Sequence, residues 1–529
     1  MKSITYKWKL SAAALFMILV ITTGCQEKQA GDAPKIVTAI ISMENRLVLM
    51  DPTFAGSNDL LPYEMIYEPL IKYGKDGTLQ PCLATSWEIS ADGRAYIFHL
   101  RQDVKFSDGT GFNADSVVFT VKRWAGKAGT ASLSIANCLE SITKLDDYTV
   151  KMTFSKSYYP YLTELTYPRP CRILGANAVS PSGSDKGEFV KPVGTGPWMV
   201  ESSVDGQETV LIPNPYYYGE KPKVDKIILK VISDPQARIM AMQSGEADIS
   251  TAELPLEGLT AIKTDKHLAV LERESTKSYH LMFNYDNPVL QDRNLRQAIN
   301  YAVNKRSLVV NLLNGAGKPA KGVLPITVPY VTDDNSQGYG YDLAKAKELL
   351  VKSGYTDQDG DGILEKNGQP LRLNLIFQNT EYAEWKQVCE LLQSELRQAG
   401  IDVTLRLLEV NAYYDAIWTT RDFDLVMYRT YEDSWNPHGY LTSLYTGGKP
   451  VAWYNETLNR YIGEVLETTG EAQRRQKYGQ LFRLMNDEAM TAPLYYPAIL
   501  YVYNKRLVNV ELAGTAVEVI KWNTLDIAR

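Results

Sequence analysis

The sequence predicts an α/β protein built from more than one lobe, and three observations support that expectation. Its 529 residues, 45% of them hydrophobic, suffice for several buried cores. Residues 36 to about 273 are rich in short strands and turns, whereas the later half alternates between helix and strand. No segment beyond the N-terminal signal resembles a membrane span, so we expect a soluble body.

The first half contains one clear strand and one clear helix. YTVKMTF (148–154) alternates apolar and polar residues, the period of a half-buried strand. NADSVVFTVKRW (113–124) has the pattern of a helix, and the amide side chain of Asn113 can cap its first turn. We therefore expect a strand-rich region with at least one helix packed against it.

The later half contains a predicted βαβ unit. LRLNLIF (371–377) alternates like a strand, a helix over 381–399 stops at Gly400, and IDVTLRLL (401–408) resumes the strand pattern. Consecutive strands joined by a helix pair in parallel. The second lobe is thus predicted to hold a largely parallel sheet with helices on its faces.

A further strand, DFDLVMY (422–428), leads into an irregular stretch. Ligands of open α/β sheets bind beyond the carboxyl ends of the strands. Residues 429–435 are therefore the first place to expect a pocket wall in this lobe.

The N-terminus has the features of a bacterial lipoprotein signal. Three lysines precede an apolar stretch, residues 10–21, that is too short to cross a bilayer comfortably. Small residues then lead to Cys25, so we predict that residues 1–25 are a lipoprotein signal peptide ending at the lipidated cysteine. Thr22 stands where leucine is usual, and the alternative is an ordinary secretory signal cleaved nearby. Residues 26–35 are polar and are interpreted as a flexible tether.

Composition and motifs argue against several function classes. The net charge is -6 and no basic tract is present, so a nucleic-acid partner is not expected. HExxH, GxSxG, P-loop and dinucleotide-binding motifs are missing, and no carboxylate or nucleophile–base pair can be assigned, so an enzyme is not predicted. Four histidines lack metal-ligand spacing: His99, His267, His280 and His438.

Four cysteines follow the signal without any CxxC motif. Export permits disulfides, but the sequence cannot choose a pairing. Buried free thiols are the simpler expectation for these residues: Cys82, Cys138, Cys171 and Cys389.

An acidic stretch, DQDGDGILEKNG (357–368), begins like a calcium-binding loop. Asp357, Asp359 and Asp361 have the EF-hand register, but Gly368 stands where the bidentate glutamate is required. We interpret it as an acidic turn, and the sequence leaves calcium binding open.

The stretch TELTYPRPCRIL (163–174) holds an arginine on a stiff backbone. Pro168 and Pro170 bracket Arg169, and proline fixes its own φ while restricting the residue before it. The guanidinium stays charged in proteins, and tyrosines around it offer broad contact surfaces with polar tips. From the residues alone, the partner of Arg169 is either a ligand or the carbonyls of its own loop.

Several motifs together resemble the family 5 solute-binding proteins of bacterial ABC importers, the peptide and nickel group. Residues 67–119 resemble the long N-terminal signature of that family. VGTGPW, NPYYYGEKPKVDKI, SGEADI and LRQAINYAVNKRSLV follow in the family's order. The resemblance covers nearly the whole mature chain, and the motifs in sequence make it specific.

The resemblance implies an architecture with two lobes, the type II periplasmic-binding-protein fold in its large subclass. The first lobe spans 36–278 and includes an extra strand-rich subdomain over about 72–190. The second lobe spans 279–491, and 492–529 return to the first. STKSYHLMFN (275–284) and MTAPLYYPAI (490–499) are the candidate crossings.

Within the family, YYPYLTELTYPRPCRILGANAV is similar to the branch that carries nickel or related metals as chelates. The resemblance implies that Arg169 faces the cleft and holds a carboxylate of the chelator. Tyr431 and Trp435 correspond to aromatic residues over the chelate, in exchanged order, and Arg429 opens the same segment. Ser132 stands where some members have a tryptophan.

The resemblance also bears on metal coordination. Some members complete the coordination with a histidine near the position that Lys449 occupies here. His438 is a candidate metal ligand, a role in a turn being the alternative, so no direct protein ligand is assigned. The resemblance implies that the chelator supplies most of the metal ligands, and the scarcity of histidines fits this expectation.

The implied protein is a monomeric, lipid-anchored receptor on the outer face of the cytoplasmic membrane, without a cofactor. It would deliver a nickel- or cobalt-type chelate to an ABC permease. The alternative ligand is a short peptide, although no acidic residue can be assigned to a peptide's amino end. An extracellular enzyme and a sensor without transport are further hypotheses.

Overall fold

The protein is described from a computed structural model. The described residues are 33–41, 50–53, 60–74, 77–125, 133–252, 254–382, 384–430, 437–446, 456–512 and 520–528. Among the helices they contain, none combines the length and the apolar character needed to cross a membrane.

Twenty-five strands are numbered in chain order over these residues. They are β1 Ile36–Ile41, β2 Ile71–Tyr73, β3 Leu79–Pro81, β4 Ala84–Ile89, β5 Ala95–Leu100, β6 Leu139–Asp146, β7 Thr149–Phe154, β8 Val179–Ser180, β9 Glu188–Phe189, β10 Trp198–Val204, β11 Glu208–Pro213, β12 Lys226–Val231, β13 Ile249–Ser250, β14 Leu268–Glu274, β15 Tyr279–Phe283, β16 Lys318–Pro319, β17 Glu365–Lys366, β18 Gln369–Pro370, β19 Arg372–Phe377, β20 Asp402–Leu407, β21 Leu425–Arg429, β22 Thr491–Tyr496, β23 Ala498–Asn504, β24 Leu507–Val508 and β25 Asp526–Ile527.

Fourteen α-helices are numbered in the same way. They are α1 Leu61–Ile66, α2 Ala114–Trp124, α3 Ser134–Cys138, α4 Tyr161–Glu164, α5 Pro235–Ser244, α6 Leu256–Thr264, α7 Arg293–Ala302, α8 Lys305–Ser307, α9 Leu343–Lys352, α10 Trp385–Gln398, α11 Val410–Asp415, α12 His438–Tyr445, α13 Glu456–Glu467 and α14 Glu471–Asp487.

The first lobe is built on a seven-stranded sheet with the order β10-β11-β12-β1-β13-β23-β14. Its central strand β1 is parallel to β12 and to β13. β1 has the sequence IVTAII, and the β-branched residues suit a strand packed on both faces. The carboxyl ends of three parallel strands thus meet at one edge of the sheet.

A four-stranded antiparallel sheet, β4-β5-β7-β6, adds a subdomain to this lobe. β7 buries Val150, Met152 and Phe154 on one face, as the alternation predicted. α2 packs against β6 and β7. The predicted strand and the predicted helix are therefore both confirmed.

The Asn113 cap offers a local stability test. The Asn113 side chain accepts the amide of Ser116, and the Ser116 hydroxyl lies 3.5 Å from the amide of Asn113, a capping box. Asn113→Ala is expected to lower the free energy of unfolding by about 1 kcal/mol, and Asn113→Gly by only a few tenths. Urea unfolding checks this, and equal losses for both variants would contradict the role of the cap.

The second lobe is built on a six-stranded sheet with the order β16-β22-β15-β21-β19-β20. β19, α10 and β20 form the predicted βαβ unit, with β19 parallel to both β20 and β21. The prediction of a largely parallel sheet is wrong, because β15 pairs antiparallel with β21 and β22. β15 carries the chain into the lobe and β22 carries it out, so these two strands run in opposite directions.

The chain passes between the two large sheets at two places. The first passage lies between Glu274 of β14 and Tyr279 of β15, and the second lies between Tyr496 of β22 and Ala498 of β23. Both fall inside the segments proposed as crossings. The sheets change over at Pro497, a few residues after the boundary expected at 491, because β22 continues its pairing with β15 and β16.

His280, on the strand that enters the second lobe, makes stability depend on pH. It is fully buried between Tyr428 and Tyr440, and burial, with Arg429 nearby, lowers its pKa to about 3. The unfolded chain takes up this proton near the ordinary pKa of about 6.5. Stability therefore falls as the pH drops from about 6.5 towards 3.

We expect His280 to cost about 3 kcal/mol of unfolding free energy between pH 7 and pH 4. His280→Phe keeps an aromatic ring between the two tyrosines and should flatten this part of the pH profile. His267→Phe, at an exposed position, is the matched control. Parallel pH profiles for wild type and His280→Phe would contradict the prediction.

Candidate functional site

Helix α1 is held in place by two glycines of the VGTGPW motif. A Cβ on Gly194 would lie 2.0 Å from the carbonyl oxygen of Ile66, and one on Gly196 would lie 2.5 Å from that of Met65. The Gly196 amide instead donates to the Ile66 carbonyl at 2.9 Å. These glycines permit the close approach of two backbones, and they fix the helix that carries Tyr63.

Arg169 lies against Tyr63. Its guanidinium carbon is 5.6 Å from the centroid of the Tyr63 ring, within the range of a cation–π contact. The side chain is half-buried. Its Nη1 is shielded from solvent and has no hydrogen-bond partner among the described residues. A buried guanidinium donor without an acceptor is costly, so this atom marks a place where an anionic group would be stabilised.

Arg172, three residues further on, has a different environment. Its Nη2 lies 2.5 Å from Glu64 Oε1, and its Nη1 donates to the Thr166 carbonyl at 2.7 Å. Both charged side chains are more than nine-tenths buried. Arg172 therefore ties the loop that carries Arg169 to helix α1 and to the loop's own backbone.

A cavity of about 590 Å³ is lined by residues of both lobes. Its lining includes residues that follow the carboxyl ends of β12, β13 and β19, together with both passages between the lobes. Strand carboxyl ends are where open α/β sheets bind ligands, and this volume is typical of small-molecule sites. The cavity therefore has the location and size of a ligand site.

The cavity wall carries both signs of charge. The Lys277 ammonium lies 5.6 Å from the centroid of the Tyr279 ring and 5.7 Å from that of Tyr382. Glu384 lines the cavity and accepts a hydrogen bond of 3.2 Å from the Tyr495 hydroxyl. Aromatic faces, a buried cation and acids thus meet in one space, an arrangement suited to a ligand with several polar groups.

Arg429 contacts residues of the second lobe next to the cavity wall. It pairs with Tyr279 across β21 and β15, and its Nε donates to the Tyr382 hydroxyl. Burial raises the pKa of Tyr382, so its hydroxyl stays neutral and can accept this bond. The cavity lining includes neither Arg429 nor Arg169.

His438 begins helix α12 and is fully buried. Its Nε2 lies 3.2 Å from Glu164 Oε1 in the first lobe. Glu164 also accepts the amides of Ser134 at 3.3 Å and of Ile135 at 2.6 Å, so its carboxylate is held at the start of α3. The Nε2 atom of His438 is thus occupied by a contact with Glu164 that joins the two lobes.

Several proposed site residues cannot be placed. Ser132, Tyr431 and Trp435 lie outside the described residues, as do Lys449 and the lipidation candidate Cys25. Their roles stay predictions. The four cysteines of the described residues form no disulfide with one another; Cys82, Cys171 and Cys389 are buried and Cys138 is half-buried.

The acidic turn brings four carboxylates together. Oxygens of Asp357, Asp359, Asp361 and Glu365 lie within 4.8 Å of one another. The turn's own backbone amides already bond several of them: Gly360 donates to Asp357 at 2.7 Å and Ile363 to Asp361 at 2.7 Å. The arrangement agrees with the interpretation as an acidic turn.

The cavity residues were not singled out from the sequence. Lys277, Tyr279 and Tyr495 lie in the two crossing segments, which were considered only as hinges. The strand-end argument applied to β21 would also have indicated the residues after β19, including Glu384. Tyr63 gave no signal of its own, because its contact with Arg169 joins positions far apart in the chain.

Comparison with known proteins shows the family. Residues 78–450 match the family model for bacterial extracellular solute-binding proteins, family 5 Middle. The chain is 33% identical to the nickel-binding periplasmic protein of Escherichia coli (strain K12) over 480 residues, 89% of this chain and 91% of that protein. It is 26% identical to the oligopeptide-binding protein AppA of Bacillus subtilis (strain 168) over 452 residues, 82% of this chain and 81% of AppA.

A solved structure gives the same answer for the fold. The crystal structure of NikA from Brucella suis in complex with Fe(III)-EDTA matches with a TM-score of 0.85 and 29% identity, covering 93% of this chain and 99% of that one. The expected fold, two lobes of the type II periplasmic-binding-protein class, is confirmed. The chain belongs to the bacterial extracellular solute-binding proteins of family 5, which serve ABC transport, and it is not an enzyme.

Proposed function

We propose that this protein captures a nickel- or cobalt-type metal chelate between its lobes and delivers it to a membrane permease of an ABC importer. Arg169 binds a carboxylate of the chelator, and the chelator supplies most of the metal ligands. The mature protein is a monomer anchored through lipidated Cys25 at the outer face of the cytoplasmic membrane.

The unpartnered Nη1 of Arg169 carries this proposal. The alternative, that Arg169 ties its own loop, is weakened because Arg172 already bonds the Thr166 carbonyl and Glu64. A guanidinium can offer a carboxylate two parallel N–H donors, a geometry that lysine cannot reproduce. The nickel-binding relative supports a metal as the cargo, and the NikA complex with Fe(III)-EDTA supports a chelate as its form.

A short peptide is the second candidate ligand, and the cavity favours it. Its wall combines Lys277 with Glu381 and Glu384, so it offers charged groups to both ends of a zwitterion. Glu381 is engaged by Gln378 and Tyr414, at 2.8 Å and 2.7 Å. AppA shows that relatives of similar length bind oligopeptides. If Arg169 binds the terminal carboxylate of the peptide instead of Lys277, that end of the peptide lies outside the cavity lining.

Calorimetry on the ligand-free protein separates the two candidates. The titrants are nickel alone, nickel with excess free histidine, and a mixed dipeptide pool. The chelate proposal predicts tight binding only when nickel and histidine are present together. Binding of dipeptides without metal, and none of nickel–histidine, would contradict it and support the peptide alternative.

A further inference from the structure

The segment that precedes Arg169, residues 156–167, is bound to the second lobe; we call it the docking segment. The Tyr159 amide donates to the Leu466 carbonyl in the last turn of α13 at 3.1 Å. The hydroxyls of Tyr159 and Tyr478, on α14, lie 2.7 Å apart. The last carbonyls of a helix lack partners within the helix. The Leu466 carbonyl can therefore accept the hydrogen bond from the Tyr159 amide.

The Tyr159 ring is enclosed by side chains of the second lobe. The guanidinium carbon of Arg474 lies 4.1 Å from its centroid, a close cation–π contact. Tyr330 and Tyr478 stack on each other with centroids 4.6 Å apart, and both meet the Tyr159 ring edge-on. Arg474 is itself fixed, because its Nη1 donates to the Thr468 carbonyl at 2.8 Å.

Glu164 makes a second contact between the lobes from the same segment. Its buried carboxylate is fixed on the first lobe by the amides of α3 and meets His438 of the second lobe at 3.2 Å. Tyr158 adds an edge-on ring contact to His438, with centroids 6.1 Å apart. The docking segment therefore contacts the second lobe at two separate places.

We infer that Tyr159 and Glu164 are positioning residues, which bring Arg169 to the second lobe when the lobes close. This inference rests on the proposed function of Arg169. Arg169 follows Glu164 by five positions, and the intervening loop is fixed by Arg172. The bonds of Tyr159 and Glu164 join parts of different lobes, so we expect them to break when the lobes separate.

Closure and the placement of Arg169 are consequently one event. The docking contacts join protein groups to each other, so they favour the closed state whether or not a ligand is bound. The apparent affinity of a binding protein scales with the fraction of its binding-competent state. Part of the affinity for the chelate is thus determined at Tyr159 and Glu164, away from the ligand.

The test compares Tyr159→Ala and Tyr159→Phe with wild type in two measurements. Small-angle X-ray scattering gives the radius of gyration of the ligand-free protein, and calorimetry gives the Kd for nickel with histidine. We expect Tyr159→Ala to enlarge the ligand-free radius and to weaken binding at least tenfold. Tyr159→Phe keeps the aromatic ring against Arg474, so its radius of gyration and its Kd should lie between those of the wild type and Tyr159→Ala. Tyr216→Ala, at an exposed tyrosine of the first lobe, is the control and should change neither.

A thermal unfolding scan separates positioning from simple packing. A lower unfolding midpoint for Tyr159→Ala, with unchanged radius and unchanged Kd, would overturn the inference. The scattering measurement uses no ligand, so it tests the inference even if the wild type does not bind nickel–histidine. In that case an unchanged radius overturns the inference, and an enlarged radius supports the docking contacts while the proposed function fails.

Discussion

Replacing Arg169 with alanine is expected to weaken binding of the nickel–histidine complex by a hundredfold or more. Two charge-assisted hydrogen bonds to a carboxylate contribute roughly 1.5–3 kcal/mol each. Their loss therefore costs about 3 kcal/mol or more, and every 1.4 kcal/mol is a factor of ten in Kd. The fold should persist, because the buried Nη1 of Arg169 has no hydrogen-bond partner among the described residues. Calorimetry and circular dichroism measure the two effects.

Conservative variants identify which property of Arg169 is needed. Arg169→Lys keeps the charge but loses the planar pair of donors, so we expect an intermediate loss. Arg169→Gln keeps a donor without the charge and should approach the alanine result. Arg460→Ala is the matched control, since Arg460 is an exposed arginine on α13. Unchanged affinity for Arg169→Ala would remove this residue from the site.

Replacing Glu64 with alanine is expected to destabilise the protein by about 3–5 kcal/mol. The change leaves the buried guanidinium of Arg172 without its carboxylate, and an uncompensated buried charge carries a cost of about that size. The Glu64–Arg172 pair is 6–7% exposed. Denaturant unfolding monitored by fluorescence measures the loss.

Two further variants test the cause of this loss. Glu220→Ala breaks the exposed pair with Lys223 and should cost about 0–1 kcal/mol. The double variant Glu64→Met with Arg172→Met removes both charges and should recover much of the stability, because a buried ion pair often exchanges with apolar residues at little cost. Equal destabilisation by Glu64→Ala and Glu220→Ala would contradict the importance of burial.

Local sequence patterns predicted the regular elements well. Val150, Met152 and Phe154 alternate because β7 has one buried face, and the Asn113 cap follows from a side chain that bonds an amide three residues on. The βαβ unit around α10 is also a local pattern. The sheet order of the second lobe was beyond these patterns, since β15 and β22 pair across more than 200 residues. The directions of such strands depend on the path of the whole chain.

The site was predictable only where the chain itself is unusual. Two prolines mark Arg169, and the family resemblance gave it a role. The different fate of Arg172 depends on Glu64, 108 positions earlier, which no local pattern connects to it. The contact between His438 and Glu164 is a similar case, with 274 positions between the residues. Burial decided these partners, and burial is a property of the packed lobes.

The most direct test of the central claim is a thermodynamic cycle between Arg169 and the carboxylate of the chelator. Calorimetry compares nickel with histidine and nickel with histidinamide, which lacks the carboxylate, on wild type and on Arg169→Ala. A direct contact predicts that wild type binds the histidine complex far more tightly, and that Arg169→Ala loses most of this preference. An equal preference in both proteins would contradict the claim that Arg169 binds the ligand carboxylate.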